Sequence, residues 1–335
     1  MPSSTSPSEP RRLRLTPWLV ATALASLLAA AAYTLWLNPE IRFYHYAAEV
    51  KRAWVEGFRA ARVPVAVVYG ASSCAFALDG ERLRDRHGLA VANYGLHAGM
   101  EPLFLTAFAL ESTRPGDTLV VALEPPLLRA SFESPDLAAQ MGMALGQPGL
   151  IHASALTGRR IRWVDNLVSL RPGAYHLFTL AGKILLGRPL YRYAPRDVSP
   201  SGWQQTAERR PLTPIDAAPA TALSADARGL LADLRRWADA HQVTVFYAIP
   251  WGWTTEEHTD ATRRANARFL REIADHIPVL RDPALGVHPV RGHFADTEWH
   301  LTAAAAALRT DAFAGLLRER RCWALEELDA LAREP

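Results

Sequence analysis

The stretch Val65–Gly80, VAVVYGASSCAFALDG, decides the fold of this chain. Its apolar run, Val65–Tyr69, ends at Gly70 and is followed by two hydroxyl side chains, Ser72 and Ser73, and then by an amphipathic sequence. A short apolar run that stops at a glycine before helix-compatible sequence is typical of a buried parallel strand that leads into a helix. The pattern therefore predicts an α/β fold with Ser72 at the carboxyl end of a strand, where open α/β sheets bind ligands.

A serine at this turn has two interpretations. It can cap the following helix, as serine often does. It can also be a nucleophile, because the free N–H groups at the start of a helix favour a nearby oxyanion. The distant stretch Phe294–Thr302, FADTEWHLT, favours the nucleophile, since it carries an acid, Asp296, close to a histidine, His300. Ser72, His300 and Asp296 are the residue types of a nucleophile, a base and an orienting acid, whose order along the chain differs between enzymes.

Further apolar runs predict the rest of the sheet. Four of them alternate with helix-forming segments: Leu89–Asn93, Thr118–Leu123, Val243–Ile249 and Val279–Leu280. Strands that alternate with helices imply right-handed crossovers and a parallel sheet. We therefore expect a parallel sheet of about five strands.

Polar residues and a glycine follow two of these runs. Asn93, Gly95 and His97 come at or after the end of the second run, and Glu124 follows the third. We expect the N–H groups of Ser72 and Gly95 to form an oxyanion hole, because Gly95 allows a close approach of the backbone. Site-lining roles are expected for a further set, each member of which also has an ordinary structural interpretation as a turn, cap or core residue: Ser73, Asn93, His97 and Glu124.

The N-terminal region predicts a membrane anchor. Residues 1–16 form a polar tail with Arg11, Arg12 and Arg14, and residues 17–37 carry no charge. A helix of this length crosses the roughly 30 Å of a bilayer's hydrocarbon. Arginines ahead of the span place the tail in the cytoplasm and the rest of the chain on the other side. A cleaved signal peptide and a buried soluble helix are the two alternatives.

The remaining chain divides into a helix that links the anchor to the globular part, residues 38–62, and one α/β domain, residues 63–335. The strand and helix pattern is lost over about residues 127–225, which we interpret as an insertion. The net charge of +3 includes no dense basic cluster beyond the N-terminus, which argues against nucleic-acid binding. The two cysteines, Cys74 and Cys322, predict no disulfide, and no spacing indicates a metal site.

Three segments resemble the blocks of the SGNH (GDSL-type) hydrolases. Gly70-Ala71-Ser72 resembles the first block, Asn93-Tyr94-Gly95 the second, and Asp296 with His300 the last. Two features depart from the family. Ala71 stands where an Asp is usual, and Leu123-Glu124-Pro125 stands where an asparagine block is expected. The likeness is strongest to the membrane-anchored branch with GSS-type first blocks, which accompanies modification of surface polysaccharides.

The resemblance implies a three-layer α/β/α, flavodoxin-like fold without a cofactor. It implies a serine esterase or O-acyltransferase, for acetyl groups above all, that acts on cell-surface carbohydrate through an acyl-serine. We expect a single-pass protein of the inner membrane with its catalytic domain on the periplasmic side, and partner proteins of polysaccharide modification. The alternatives are an inactive scaffold of this fold that binds glycan or partner subunits, and a lipase or thioesterase.

Overall fold

Four parallel strands form the central sheet of the protein: β1 (Ala66–Gly70), β2 (Val91–Asn93), β3 (Thr118–Ala122) and β4 (Thr244–Tyr247). Their order in the sheet is β2-β1-β3-β4. Val67 of β1 lies opposite Ala92 on one side and Leu119 on the other. The chain therefore has the α/β class and the parallel pairing that the sequence predicts.

The structure is a computed structural model, and it describes five ranges of the chain: residues 15–132, 136–145, 174–206, 208–215 and 222–333. Most of the predicted tail, residues 1–14, lies outside these ranges. Parts of the predicted insertion, above all residues 146–173, also lie outside them.

The fifth predicted strand, Val279–Leu280, is reduced to one bridge beside β4. The N–H of Tyr247 donates to the carbonyl of Pro278, and the N–H of Leu280 donates to the carbonyl of Tyr247, both at 2.8 Å. The run is too short to continue this ladder, so the sheet has four strands where about five were expected. A separate parallel pair, β5 (Gly252–Trp253) with β6 (Val287–His288), was not predicted.

Helices cover both faces of the sheet. Alternate strand residues enter two separate apolar clusters: Val67 and Tyr69 belong to one, and Val68 to the other. This alternation is the period of two expected of a strand. The helices, in chain order, are α1 (Leu15–Ala32), α2 (Pro39–Ala60), α3 (Ser72–Ala77), α4 (Gly80–His87), α5 (Glu101–Glu111), α6 (Pro125–Arg129), α7 (Asp136–Ala144), α8 (Ala174–Leu185), α9 (Ala225–Ala240), α10 (Thr259–Ala274), α11 (Ala303–Glu319) and α12 (Leu325–Arg333).

The N-terminal helix is long and apolar enough to cross a membrane. The span Pro17–Leu37 has 21 residues and a mean hydropathy of 1.7, and only 6% of it is buried. It consists of α1 and a π-helical turn, Tyr33–Leu37. Its composition and length agree with the predicted span, residues 17–37, and among the described residues one helix meets this criterion.

The predicted linking helix, α2, is part of the domain core. Its buried residues include Ile41, Tyr44, Ala48 and Val55. The last turn of α2 reaches the amino end of β3, where Arg59 Nη1 donates to Asp117 Oδ1 at 2.9 Å. Since its first turn lies near the carboxyl ends of the strands, α2 runs antiparallel to the sheet.

The helix predicted after Ser72 is divided into α3 and α4. Asp79 interrupts it, because the Asp79 carboxylate caps α4 by accepting the N–H groups of Glu81 and Arg82 at 3.0 and 3.1 Å. A carboxylate at an N-cap satisfies donors that the helix cannot pair itself. The resulting α3 is short, and it begins at the candidate nucleophile, Ser72.

Candidate active site

The turn between β1 and α3 presents Ser72 to a cavity of about 510 Å³. Gly70 permits this turn, because a Cβ at this position would lie 2.2 Å from the carbonyl oxygen of Ala122. Ser72 is half-buried and lines the cavity, whereas Ser73 is only 1% exposed. Of the two candidate hydroxyls, Ser72 is therefore the one that a bound molecule can reach.

His300 and Asp296 form a hydrogen-bonded pair at the same cavity. His300 Nδ1 lies 2.8 Å from Asp296 Oδ1. A tight turn brings the two together across their spacing of four residues. The N–H of Ala295 donates to the carbonyl of His300 at 2.8 Å, and the N–H of His300 donates to Thr297 Oγ1 at 3.1 Å. The acid and the histidine thus adopt the relation expected of an orienting group and a base.

The face of the His300 ring also packs against a neighbouring aromatic ring. Phe76 of α3 stacks on His300 with ring centroids 4.1 Å apart and an angle of 18° between the planes. With Asp296 ionised, Nδ1 carries the proton that the pair shares, and Nε2 is left as the basic nitrogen. His300 lines the cavity together with Ser72, and within the described ranges no hydrogen bond joins their side chains.

Two residues from the predicted insertion hold Asp296 from its other side. Arg192 Nη1 and the Tyr193 hydroxyl donate to Asp296 Oδ2 at 2.9 and 3.0 Å. Burial alone would raise the pKa of Asp296, but the hydrogen bond and charge of His300 and the hydrogen bond of Tyr193 outweigh it and lower this pKa to about 2. Asp296 is therefore an anion at neutral pH. Sequence reasoning missed Arg192 and Tyr193, whose only signal is an aromatic and basic cluster, YRY, in an irregular region.

Glu124, an expected lining residue, does line the cavity and also supports the serine turn. Its Oε1 accepts the N–H of Ser73 at 3.1 Å. Glu124 is 5% exposed, and its Oε2 and the Ser73 hydroxyl have no hydrogen-bond partner among the described residues. Burial raises the pKa of Glu124, against the lowering effect of Ser73. Burial thus favours the protonated form of this carboxyl group.

Asn93 and Gly95 have structural contacts in place of the expected ones at the cavity. The amide of Asn93 donates to the carbonyls of Cys74, Ala75 and Leu78 at 2.8 to 3.2 Å. The N–H of Gly95 donates to Asn93 Oδ1 at 3.0 Å. Since this N–H is already paired, the structure does not offer Gly95 as an oxyanion donor. A Cβ at Gly95 would lie 2.2 Å from the amide nitrogen of Ala75, so this glycine allows β2 and α3 to pack closely.

His97 lines the cavity, as expected, and also caps the turn Ala98–Met100. Its Nδ1 accepts the N–H of Gly99 at 2.9 Å, so the ring proton of the neutral form is on Nε2. Burial lowers the pKa of His97, with smaller contributions from His300 and Arg192. His97 is therefore a neutral hydrogen-bond donor close to the candidate base.

The cavity wall is aromatic and mixed in charge. Besides the residues already described, it includes Glu40, Tyr44, Lys183, Tyr191 and Trp299. Aromatic rings with polar tips bind amphipathic molecules well. In the described part of the chain, no group of three or more His, Cys, Asp or Glu side chains is placed to hold a metal ion.

Both cysteines are free thiols. Cys74 is buried in α3 and Cys322 is half-buried after α11.

Comparison of the chain with protein-family models, with curated proteins and with solved structures finds no match. The functional assignment therefore depends on the residues and the geometry of the cavity.

Proposed function

We propose that the protein is a membrane-anchored, SGNH-type serine esterase or O-acyltransferase that acts on acyl esters, chiefly acetyl esters, of cell-surface carbohydrate. The observation that carries this proposal is the His300–Asp296 pair at 2.8 Å, whose histidine lines the same cavity as the accessible hydroxyl of Ser72. A hydroxyl, a base and an orienting anion are the minimum set for acyl transfer through a covalent intermediate.

In the proposed reaction, His300 Nε2 takes the proton of the Ser72 hydroxyl as Ser72 Oγ attacks the acyl carbonyl carbon. The ester bond to the carbohydrate breaks, and the departing oxygen receives the proton from His300. The acyl group is now esterified to Ser72. Water or a second carbohydrate hydroxyl then attacks the acyl-serine, with His300 again accepting and returning one proton.

The oxyanion that forms in each step needs N–H donors. Ser72 is the first residue of α3, so its own N–H has no acceptor within the helix. The N–H of Ser73 is occupied by Glu124 and that of Gly95 by Asn93. We therefore assign the first donor to Ser72 and expect the second to come from a neutral side chain of the cavity wall, for which His97 is placed in the same wall.

The proposed site of action is the extracytoplasmic face of the inner membrane. The arginines that precede the span favour a cytoplasmic N-terminus, and the domain follows the span directly. Proteins of a polysaccharide-modifying assembly are the partners that fit this location.

A fluorophosphonate probe on the full-length protein in detergent tests the proposal. We expect covalent labelling of the native chain, loss of labelling in Ser72→Ala and in His300→Ala, and retention in Ser73→Ala. Ser73 is the matched control, because it is the adjacent hydroxyl and is buried away from the cavity. Labelling that survives Ser72→Ala would contradict the assignment of the nucleophile.

A second candidate function is an inactive scaffold of the same fold that binds glycan or partner subunits. The pairing of the Gly95 N–H with Asn93 favours it, because this removes an expected oxyanion donor. A well-folded native protein that the probe does not label would favour the scaffold. If the probe does label Ser72, a panel of esters with increasing acyl length separates an acetyl esterase from a lipase or thioesterase.

A further inference from the structure

The helix α8 exposes an apolar face. Leu177, Phe178, Ala181, Ile184 and Leu185 follow helical spacing on one side of α8, and all five are exposed. Phe178 is 78% exposed and Leu185 is 85% exposed. A helix on the surface of a domain normally turns such a stripe to the core. A continuous exposed stripe instead marks a surface that another molecule covers.

The opposite face of α8 belongs to the cavity wall. Lys183 lines the cavity, and its Nζ donates to the carbonyl of Leu190 at 3.0 Å. The segment then reaches Tyr191, whose hydroxyl donates to Glu40 Oε1 at 3.4 Å and contacts the Tyr44 hydroxyl at 3.1 Å. The end of α8 is therefore tied to the first turns of α2.

That first turn of α2 is also where the N-terminal span ends. The span finishes at Leu37, and α2 begins at Pro39. Because α2 runs antiparallel to the strands, the span leaves the domain at the edge of the sheet that holds Ser72 and Glu124. When α1 crosses a bilayer, this edge and α8 lie next to the bilayer surface.

The length and charge of α8 fit a lipid surface. A helix of 12 residues is about 18 Å long, too short to cross about 30 Å of hydrocarbon. Residues 174–192 carry no acidic residue, and Arg188 is exposed just beyond α8, whereas Lys183 lines the cavity and Arg192 pairs with Asp296. An apolar face combined with basic residues is the pattern of a helix that lies in the plane of an anionic membrane.

We propose that α8 is a second membrane contact, which lies in the headgroup region of the leaflet that α1 enters, with its apolar stripe among the acyl chains of anionic phospholipids. The cavity then opens at the bilayer surface. This inference rests on α1 spanning the membrane and holds whether or not Ser72 is a nucleophile. If the proposed acyl chemistry is right, its substrate is an ester held at the membrane surface.

Spin labels on the full-length protein in nanodiscs of zwitterionic and anionic phospholipid test the proposal. Single cysteines replace Phe178 or Leu185 in a Cys322→Ser background. Cys74 needs no replacement, because it is buried and burial raises the pKa of its thiol to about 12. The matched control is Glu56→Cys, an exposed position on α2 towards the amino edge of the sheet. The measurement is the accessibility of each label to oxygen, which enriches in lipid, relative to a polar nickel chelate.

We expect the ratio of oxygen to nickel accessibility to be several-fold higher at positions 178 and 185 than at position 56. A ratio at 178 and 185 equal to that at 56 would overturn the proposal, because it would put the stripe in water. Protection of these labels from both reagents would overturn it as well, since that result indicates a covering protein surface. None of these outcomes depends on catalysis, so a failure of the proposed function would be seen separately, as absence of fluorophosphonate labelling.

Discussion

Two buried carboxylates, Asp296 and Glu124, line or adjoin the same cavity and differ in their electrostatic environment. Each is 5% exposed, so burial alone would raise the pKa of both. Asp296 is held by His300, Arg192 and Tyr193, and its pKa falls to about 2. Glu124 accepts the N–H of Ser73 at one oxygen, and its pKa rises. The two pKa values therefore shift in opposite directions, because the donors around Asp296 outweigh its burial and the single N–H on Glu124 does not.

This difference separates two chemical roles within one cavity. An acid that stays ionised can orient a histidine and stabilise its protonated form. An acid whose pKa is raised keeps its proton to a higher pH, where it can donate a hydrogen bond or act as a general acid. Asp296 belongs to the first class, and the contact with Ser73 gives Glu124 a positioning role at the serine turn.

The largest expected effect comes from removing the negative charge of Asp296, the carboxylate whose pKa is lowered. In Asp296→Asn, the amide oxygen accepts from Arg192 and Tyr193 and the amide N–H donates to His300 Nδ1, so His300 takes the wrong tautomer. We expect a loss of about 10⁴-fold in the rate of acyl transfer to Ser72, as the analogous change does in serine proteases. The rate of fluorophosphonate labelling measures it. Asp311→Asn, which alters an equally well paired carboxylate remote from the cavity, is the control. Equal labelling rates for the two variants would contradict the orienting role.

The same substitution should change how stability depends on pH. The pKa of Asp296 is lowered from 3.8 to about 2 in the folded state. The stabilisation is fully present above pH 3.8 and is lost as the pH falls towards 2. We expect this contribution to be at most about 2 kcal/mol, and to be missing from Asp296→Asn. Denaturant unfolding at pH values from about 5 to about 2 measures how the free energy of unfolding of each protein changes with pH. Parallel pH profiles for the two proteins would contradict the lowered pKa.

Local sequence patterns were sufficient to predict one part of the site. The strand, glycine and serine of the 65–73 segment define a turn whose geometry follows from steric limits at Gly70. The Asp296–His300 spacing fits a single turn closed by neighbouring backbone hydrogen bonds. The residues that form each feature are close in sequence, and for this reason the pattern could be predicted without knowledge of the packing. Only the need for glycine at position 70 arises from a distant residue, Ala122 of β3.

Long-range packing determines the part that could not be predicted. Arg192 and Tyr193 lie in an irregular region about a hundred residues before Asp296, and no period of hydrophobicity marks them. In α2, the aromatic side chain of Tyr46 is exposed, whereas the buried face includes Lys51. Lys51 is buried because its ammonium donates to the carbonyls of Asn93 and Gly202, partners that only the tertiary fold brings near.

A smaller effect is expected when one donor is taken from Asp296 and the other two are kept. Tyr193→Phe removes the hydroxyl that lies 3.0 Å from Oδ2 and leaves Arg192 and His300 in place. A hydrogen bond to a charged group contributes about 1.5–3 kcal/mol, and Arg192 offsets part of the loss, so we expect a fall of about tenfold in labelling rate. Tyr94→Phe, which removes a buried hydroxyl bonded to Ser112, is the control. An unchanged rate in Tyr193→Phe would show that this donor does not influence the orienting acid.

The smallest effect is expected from a change at Glu124, the carboxyl group whose pKa is raised. Glu124→Gln keeps an oxygen that can accept the N–H of Ser73 and removes the ionisation. A carboxyl group whose folded-state pKa is raised contributes stability that is fully present below its unfolded pKa, near 4.5, and is lost as the pH rises through the folded value. The variant should therefore gain stability relative to the native protein as the pH rises. Denaturant unfolding in parallel at acidic and neutral pH measures it, with Glu56→Gln on the exposed face of α2 as the control. A native protein that becomes more stable than Glu124→Gln as the pH rises would mean that Glu124 is held as an anion, and the two carboxylates would then be alike.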